Sequence, residues 1–114
     1  MSGPASRPSQ TIPRELLALM ADAQDTLGPV ELWLFGSRAR GDAKPDSDWD
    51  LLAVLPDDAS DALVDPLLAW QLRYRHTTPV TLLTARRGEL EAIWGLPNTL
   101  GYDLAKEGVR LVVS

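Results

Sequence analysis

The sequence predicts an α/β (α+β) chain in which a mixed β-sheet of about four strands is flanked by helices. Three observations carry this. Four short, apolar, β-rich runs occur, VELWLF, DWDLLAVL, VTLLT and VRLVV. Segments with apolar residues at helical spacing precede them or lie between them. The first two runs are joined by about twelve polar residues containing Gly36, Gly41 and Pro45. A parallel crossover needs a dozen or more residues and usually a packed helix. So apolar-poor a connector argues against such a helix, and the two strands are expected to be adjacent and antiparallel.

The elements follow in order. Pro13 to Leu27 reads as a helix: proline suits a first-turn position, and Leu16, Leu17, Met20 and Leu27 recur at helical spacing. Gly28-Pro29 stops it. Val30 to Phe35 is the first strand and Asp48 to Leu55 the second, ended by Pro56 and Asp57-Asp58. Asp65-Pro66 is an N-cap followed by proline, opening a helix to about His76. Its closing cations, Arg73, Arg75 and His76, suit a helix C-terminus. Val80 to Thr84 is the third strand. A helix around Gly88 to Trp94 follows, then another after Pro97 that ends near Gly108, then a last strand, Val109 to Val113. Residues 1–11, rich in Pro, Ser and Gly, read as a flexible tail, and residues 12–114 as a single domain.

Composition narrows the function classes. The chain has 114 residues, 45% of them hydrophobic and 24% charged, the profile of a soluble globular domain. There are no cysteines, so neither disulfides nor thiolate metal sites arise. No apolar run reaches the roughly 18 residues of a membrane span, and no secretory h-region opens the chain. A cytoplasmic location and no membrane partner are expected. Net charge is −5 with a pI near 4.7, so no nucleic-acid partner is expected. A few arginines and one metal ion can still hold a triphosphate locally.

The chemistry concentrates in FGSRARGDAKPDSDWDLLAVLP, Phe35 to Pro56. Antiparallel pairing of the flanking strands would bring Gly36-Ser37 beside Asp48 and Asp50. Side chains two apart on a strand share a face, so the two aspartates project together. Neighbouring carboxylates repel unless a cation lies between them. Mg²⁺ takes one or two carboxylates together with phosphates and waters. Gly36 lets backbone approach a phosphate closely, Ser37 adds donors, and Arg38 and Arg40 could neutralise phosphate oxygens. Each signal is weak alone. With eleven Asp in the chain, a D-x-D arises by chance about once. Arg38 and Arg40 read equally as ion-pair partners of Asp42 and Asp46. The ordered set is what is specific.

That set closely resembles the signature of the minimal nucleotidyltransferases, in the polymerase-beta-like nucleotidyltransferase superfamily: Gly-Ser, ten residues, then Asp-x-Asp. Here Gly36-Ser37 is followed by the ten residues Arg38 to Ser47 and then Asp48-Trp49-Asp50. The likeness extends more loosely to VTLLT and EGVRLVV. It implies a nucleotidyltransferase fold, nucleotide phosphate at Gly36, Ser37 and Arg38, and divalent metal at Asp48 and Asp50, which would also be the catalytic residues. It further implies ATP as substrate, Mg²⁺ as cofactor, and transfer of AMP to a hydroxyl. Small members of the family pair with a helical partner protein, a HEPN-type toxin for which they are the antitoxin. Two alternatives stay open: a catalytically degenerate member that binds and neutralises a partner by contact, and a small-molecule adenylyltransferase.

One departure stands out. Active members carry a third carboxylate on a later strand, and Thr81 occupies the matching position in VTLL. A threonine hydroxyl is not a general base at neutral pH. Asp103, Glu89 and Glu91 are candidate replacements. Elsewhere, His76 is the single histidine and reads as a helix-end residue. Of four tryptophans, Trp70 and Trp94 are the ones expected at the surface, where Trp often anchors partners.

Overall fold

The structure, a computed structural model, describes residues 13–28 and 30–111. The expected tail, 1–11, and residues Val112 and Val113 of the last expected strand lie outside them. Among the described residues nine elements follow one another: α1 (Arg14–Leu27), β1 (Glu31–Phe35), α2 (Ser37–Arg40), β2 (Trp49–Leu55), α3 (Pro66–Tyr74), β3 (Val80–Arg86), α4 (Arg87–Ile93), α5 (Leu100–Glu107) and β4 (Val109–Leu111). The sheet order is β3-β2-β1-β4. β1 is antiparallel to both neighbours, and β2 and β3 run parallel, so the sheet is mixed as expected.

Alternation along the strands sorts the core into two layers. Leu32, Leu34, Leu51, Ala53, Leu55, Val80 and Leu82 face one side, where Leu16, Leu19, Met20 and Ala23 of α1 and Ala69 and Leu72 of α3 cover them. Leu52 and Val54 face the other side and pack with Leu90 of α4 and Leu104 of α5. β2 is central and covered on both faces, which is why DLLAVL reads as a nearly continuous apolar run. A one-residue slip of β2 would exchange the two sets of side chains between layers, so the core holds its register tightly.

Two local features go beyond what the sequence suggests. The connector between β1 and β2 holds no packed crossover helix, as expected, but Ser37–Arg40 forms a single helical turn. Backbone bonds hold it, from Ala39 and Arg40 N–H to the Gly36 carbonyl and from Gly41 and Asp42 N–H to the Ser37 carbonyl. None of its residues is fully buried, so hydrophobic periodicity is silent about it. The cations at the end of α3 do more than complement a helix dipole. Arg73 Nε donates to the Val80 carbonyl, while His76 Nε2 lies 2.9 Å and Arg75 Nη1 3.3 Å from the Asp22 carboxylate. They staple α3 to β3 and to α1. The cap at the other end is as expected: Asp65 accepts from Leu67 N–H at 2.9 Å, with Pro66 in the first turn.

Trp70 and Trp94 lie at the surface, as the sequence suggests, while Trp49 is buried. Trp33 is half-buried and meets Trp94 edge-on, with ring centroids 5.8 Å apart. Among the described residues no helix is long and apolar enough to cross a membrane.

The α4–α5 junction is close-packed. A Cβ added to Gly101 would overlap the Ile93 carbonyl oxygen and lie 3.0 Å from Ile93 Cγ1. Alanine improves helix propensity by about 1 kcal/mol over glycine, but overpacking costs typically about 1–3 kcal/mol. Backbone cannot swing aside, so the clash is expected to win. Gly101→Ala should lower Tm by about 5 °C or more in a thermal melt. An unchanged or raised Tm would show that the junction relaxes freely.

Candidate active site

The candidate site lies where β1 ends and β2 begins. Phe35 pairs with Asp50 across the antiparallel ladder, so Gly36 is delivered beside the Asp50 side chain. The approach is close, and the backbone conformation favours glycine. Gly36 has φ +75°, and a Cβ there would overlap Asp50 Oδ2, with Cγ at 3.0 Å and Cβ at 3.3 Å. The two halves of the sequence signature therefore meet at a backbone–carboxylate contact.

Asp50 is half-buried and Asp48, one residue before β2, is exposed. The Asp50 carboxyl is held above its ordinary value, first by burial and then by the charge of Asp48. Glu107 pushes it the same way, and Arg40 opposes. A desolvated carboxylate beside a second one favours a bound cation. Two hard oxygen donors fit a magnesium ion that completes its shell with waters and phosphates. They do not make an all-protein cage: among the described residues no three His, Cys, Asp or Glu side chains are gathered to hold a metal.

The structure places Thr81 beside Asp50, as its direct partner in the parallel β2–β3 ladder. Partners in such a ladder share a face, so a threonine stands next to the candidate metal ligand. The other acids proposed from sequence lie on α4 and α5. Glu89 accepts from the Arg86 N–H at the start of α4, Glu91 is exposed on α4, and Asp103 is exposed in the first turn of α5.

The arginines of the connector have defined partners. Arg38 Nη2 donates to the carbonyls of Ser47 at 2.8 Å and Pro45 at 3.2 Å, and its guanidinium lies 4.6 Å from the Trp49 ring centroid. It braces the segment leading into Asp48. Ser47 Oγ adds to this by accepting from Lys44 N–H at 2.9 Å. Arg40 pairs with Asp42 at 3.1 Å and with Glu107 at 3.0 Å.

Glu107 is the site residue that reading the sequence missed. It closes α5, and Oε2 accepts from the Gly36 N–H at 2.9 Å across 71 positions of chain. One signal was available. A glutamate in the last turn of a helix sits at the negative end of the dipole, which disfavours it unless a local donor compensates.

An antiparallel β1–β2 pair, a glycine turn against the Asp50 carboxylate and a parallel third strand frame the candidate site. The chain belongs to the nucleotidyltransferase domain family, whose model matches residues 16–102. No curated protein matches it. Two solved structures are similar in fold. One is a toxin–antitoxin crystal structure with AMP-PNP, 18% identical, with a TM-score of 0.52 over 82% of this chain and 70% of that one. The other, from Sulfolobus solfataricus and described as a nucleotidyltransferase, is 21% identical, with a TM-score of 0.50 over 96% of this chain and 87% of that one.

Two substitutions test the contact at the centre of the site. Because the folded state raises the Asp50 pKa, its ionisation costs stability. That cost is absent below the unfolded value of about 3.8, sets in as pH rises through the folded value, and is complete at neutral pH. Asp50→Asn should raise Tm at pH 7, with the advantage shrinking as the pH is lowered toward the unfolded value; a lower Tm at pH 7 would contradict this. Gly36→Ala should be destabilising by roughly 1–3 kcal/mol, from the positive φ and the overlap with Asp50. Denaturant unfolding reads this directly, and a neutral result would mean the turn is not bound by either constraint.

Proposed function

We propose that the domain binds ATP with Mg²⁺ and transfers AMP to a hydroxyl, with pyrophosphate leaving. The observation that carries this reading is the seating of Gly36 against the Asp50 carboxylate. It sets the Gly36 backbone against Asp50, one of the two carboxylates proposed to hold metal, which supports a phosphate and its metal meeting there. Asp48 and Asp50 would hold the metal and act as the catalytic residues. Gly36 would let phosphate approach the backbone closely, and Ser37 would offer its N–H and hydroxyl as donors. Arg38 would hold the connector in place, since direct contact with phosphate would require it to leave two carbonyls and the Trp49 ring. When bound, Mg²⁺ would neutralise phosphate charge and stabilise charge developing on the leaving group.

The acceptor is proposed to be a helical partner protein, a HEPN-type toxin, with this chain as its antitoxin in the cytoplasm. Support comes from the family and from the similar toxin–antitoxin structure with AMP-PNP. Exposed Trp70 and Trp94 are available as anchors.

One observation favours a second reading. Thr81 flanks Asp50, and among the described residues no three acids are gathered to hold a metal. A chain that binds Mg-nucleotide and its partner but turns over slowly, or not at all, is consistent with that. Intact-mass spectrometry after incubation with ATP, Mg²⁺ and the partner separates the readings. An AMP-sized gain on the partner that disappears in Asp50→Asn is expected for the transferase. Neutralisation of the partner without any gain would replace it with the binding module. AMP transfer to small hydroxyl compounds alone would point to a small-molecule enzyme. Placing a carboxylate beside Asp50 by Thr81→Asp should raise turnover by about tenfold or more, given that a positioned base contributes about 10²–10⁴. No gain would mean that this position does not limit the chemistry.

A further inference from the structure

Glu107 sits where a helix least favours a carboxylate, and the structure shows what holds it there. Its Oε2 receives two donors, the Gly36 N–H at 2.9 Å and Arg40 Nη1 at 3.0 Å. The side chain is only 14% exposed, so water competes weakly for these bonds. Bonds between a charged acceptor and its donors are roughly twice as strong as neutral ones. The base of the side chain is fixed as well. A Cβ on Gly108 would lie 2.6 Å from the Leu104 carbonyl oxygen and 3.1 Å from the Trp33 ring, and Val109 pairs with Leu34 of β1. The end of α5 is thus clamped to the strand that carries Gly36.

A glycine at φ +75° gains no preference for that conformation from its own side chain, because many others are open to it. Its surroundings must select it. Here two contacts do so from different directions: the Asp50 carboxylate against Cα and the Glu107 carboxylate on the N–H. We infer that Glu107 is the positioning residue of the Gly36-Ser37 turn, gathering the Gly36 N–H and Arg40 on one oxygen so that the turn is preset to receive nucleotide phosphate. This rests on the phosphate-binding reading of that turn. It goes beyond that reading in assigning the C-terminus of α5, far away in sequence, as the part that aligns it. Glu107 does not replace the acid absent at Thr81. Thr81 lies on the β3 side of Asp50, whereas Glu107 reaches the turn from the β4 side and is engaged there.

The rival role for the same geometry is competition, with the carboxylate standing where a phosphate oxygen would bind and leaving when nucleotide arrives. The two roles predict opposite signs. The test titrates the full chain with AMP-PNP and Mg²⁺ and follows exchange of the Gly36 amide by NMR, in wild type, Glu107→Gln and Glu107→Ala. Gln keeps an acceptor for the N–H, whereas Ala leaves two donors unpaired. Positioning predicts about tenfold or greater weakening of AMP-PNP binding in Glu107→Ala, a much smaller loss in Glu107→Gln, and faster Gly36 exchange in the Ala variant only. Equal or tighter binding in Glu107→Ala would overturn it, and tighter binding in both variants would establish competition. If Glu107→Ala does not fold, Glu107→Asp takes its place: withdrawing the carboxylate by one methylene should weaken binding more than the Gln change does, and the reverse order would sink the inference. If wild type binds no AMP-PNP, the phosphate reading fails by itself. Gly36 exchange then decides whether Glu107 holds the turn, with an unchanged rate in Glu107→Ala counting against it.

Discussion

The contact between the backbone of Gly36 and the carboxylate of Asp50 is the constraint on which the rest of the site depends. A Cβ at position 36 would overlap Asp50 Oδ2, and the residue stands at φ +75°, a conformation that side chains rarely adopt. Asp50 is partly buried, and that burial is the first cause of the upward shift of its carboxyl. The chain thereby holds an unfavourable arrangement that a cation would relieve. Carboxylates perturbed by burial and a like charge recur at functional sites.

What over-determines this contact is the core. β2 is buried on both faces, with Leu51, Ala53 and Leu55 on one side and Leu52 and Val54 on the other. Sliding it past β1 would cost apolar burial along the whole strand, so Asp50 remains opposite Phe35. Arg38 then fixes the path of the connector through carbonyls and the Trp49 ring, and Glu107 fixes the turn from the far side. Packing energy held in leucines is thus converted into the placement of a few polar atoms.

The sequence was legible where a local rule applied. Strand runs, the Asp65-Pro66 helix start and the antiparallel pairing of the first two strands all follow from patterning, turn residues and connector length. The Gly-Ser and Asp-x-Asp spacing marked which residues would meet. The single turn of Ser37–Arg40 was not legible, because backbone bonds rather than apolar side chains hold it. Nor was the stapling role of Arg73, Arg75 and His76, whose partners lie on β3 and α1. Glu107 was hidden for the same reason: its partner is 71 positions away.

The sequence by itself determined the class of fold, the order of the elements other than α2, the two halves of the candidate site and the threonine where an acid is expected. These depend on periodicity, turn chemistry and fixed spacing, which are properties of neighbours along the chain. Only the tertiary structure decided that Thr81 lies directly beside Asp50, that Gly36 touches the carboxylate, and that the end of α5 holds the turn. Those facts arise from sheet order and from which helix end packs on which strand. Both are set by burial of the whole core, a global quantity that no short stretch of sequence contains.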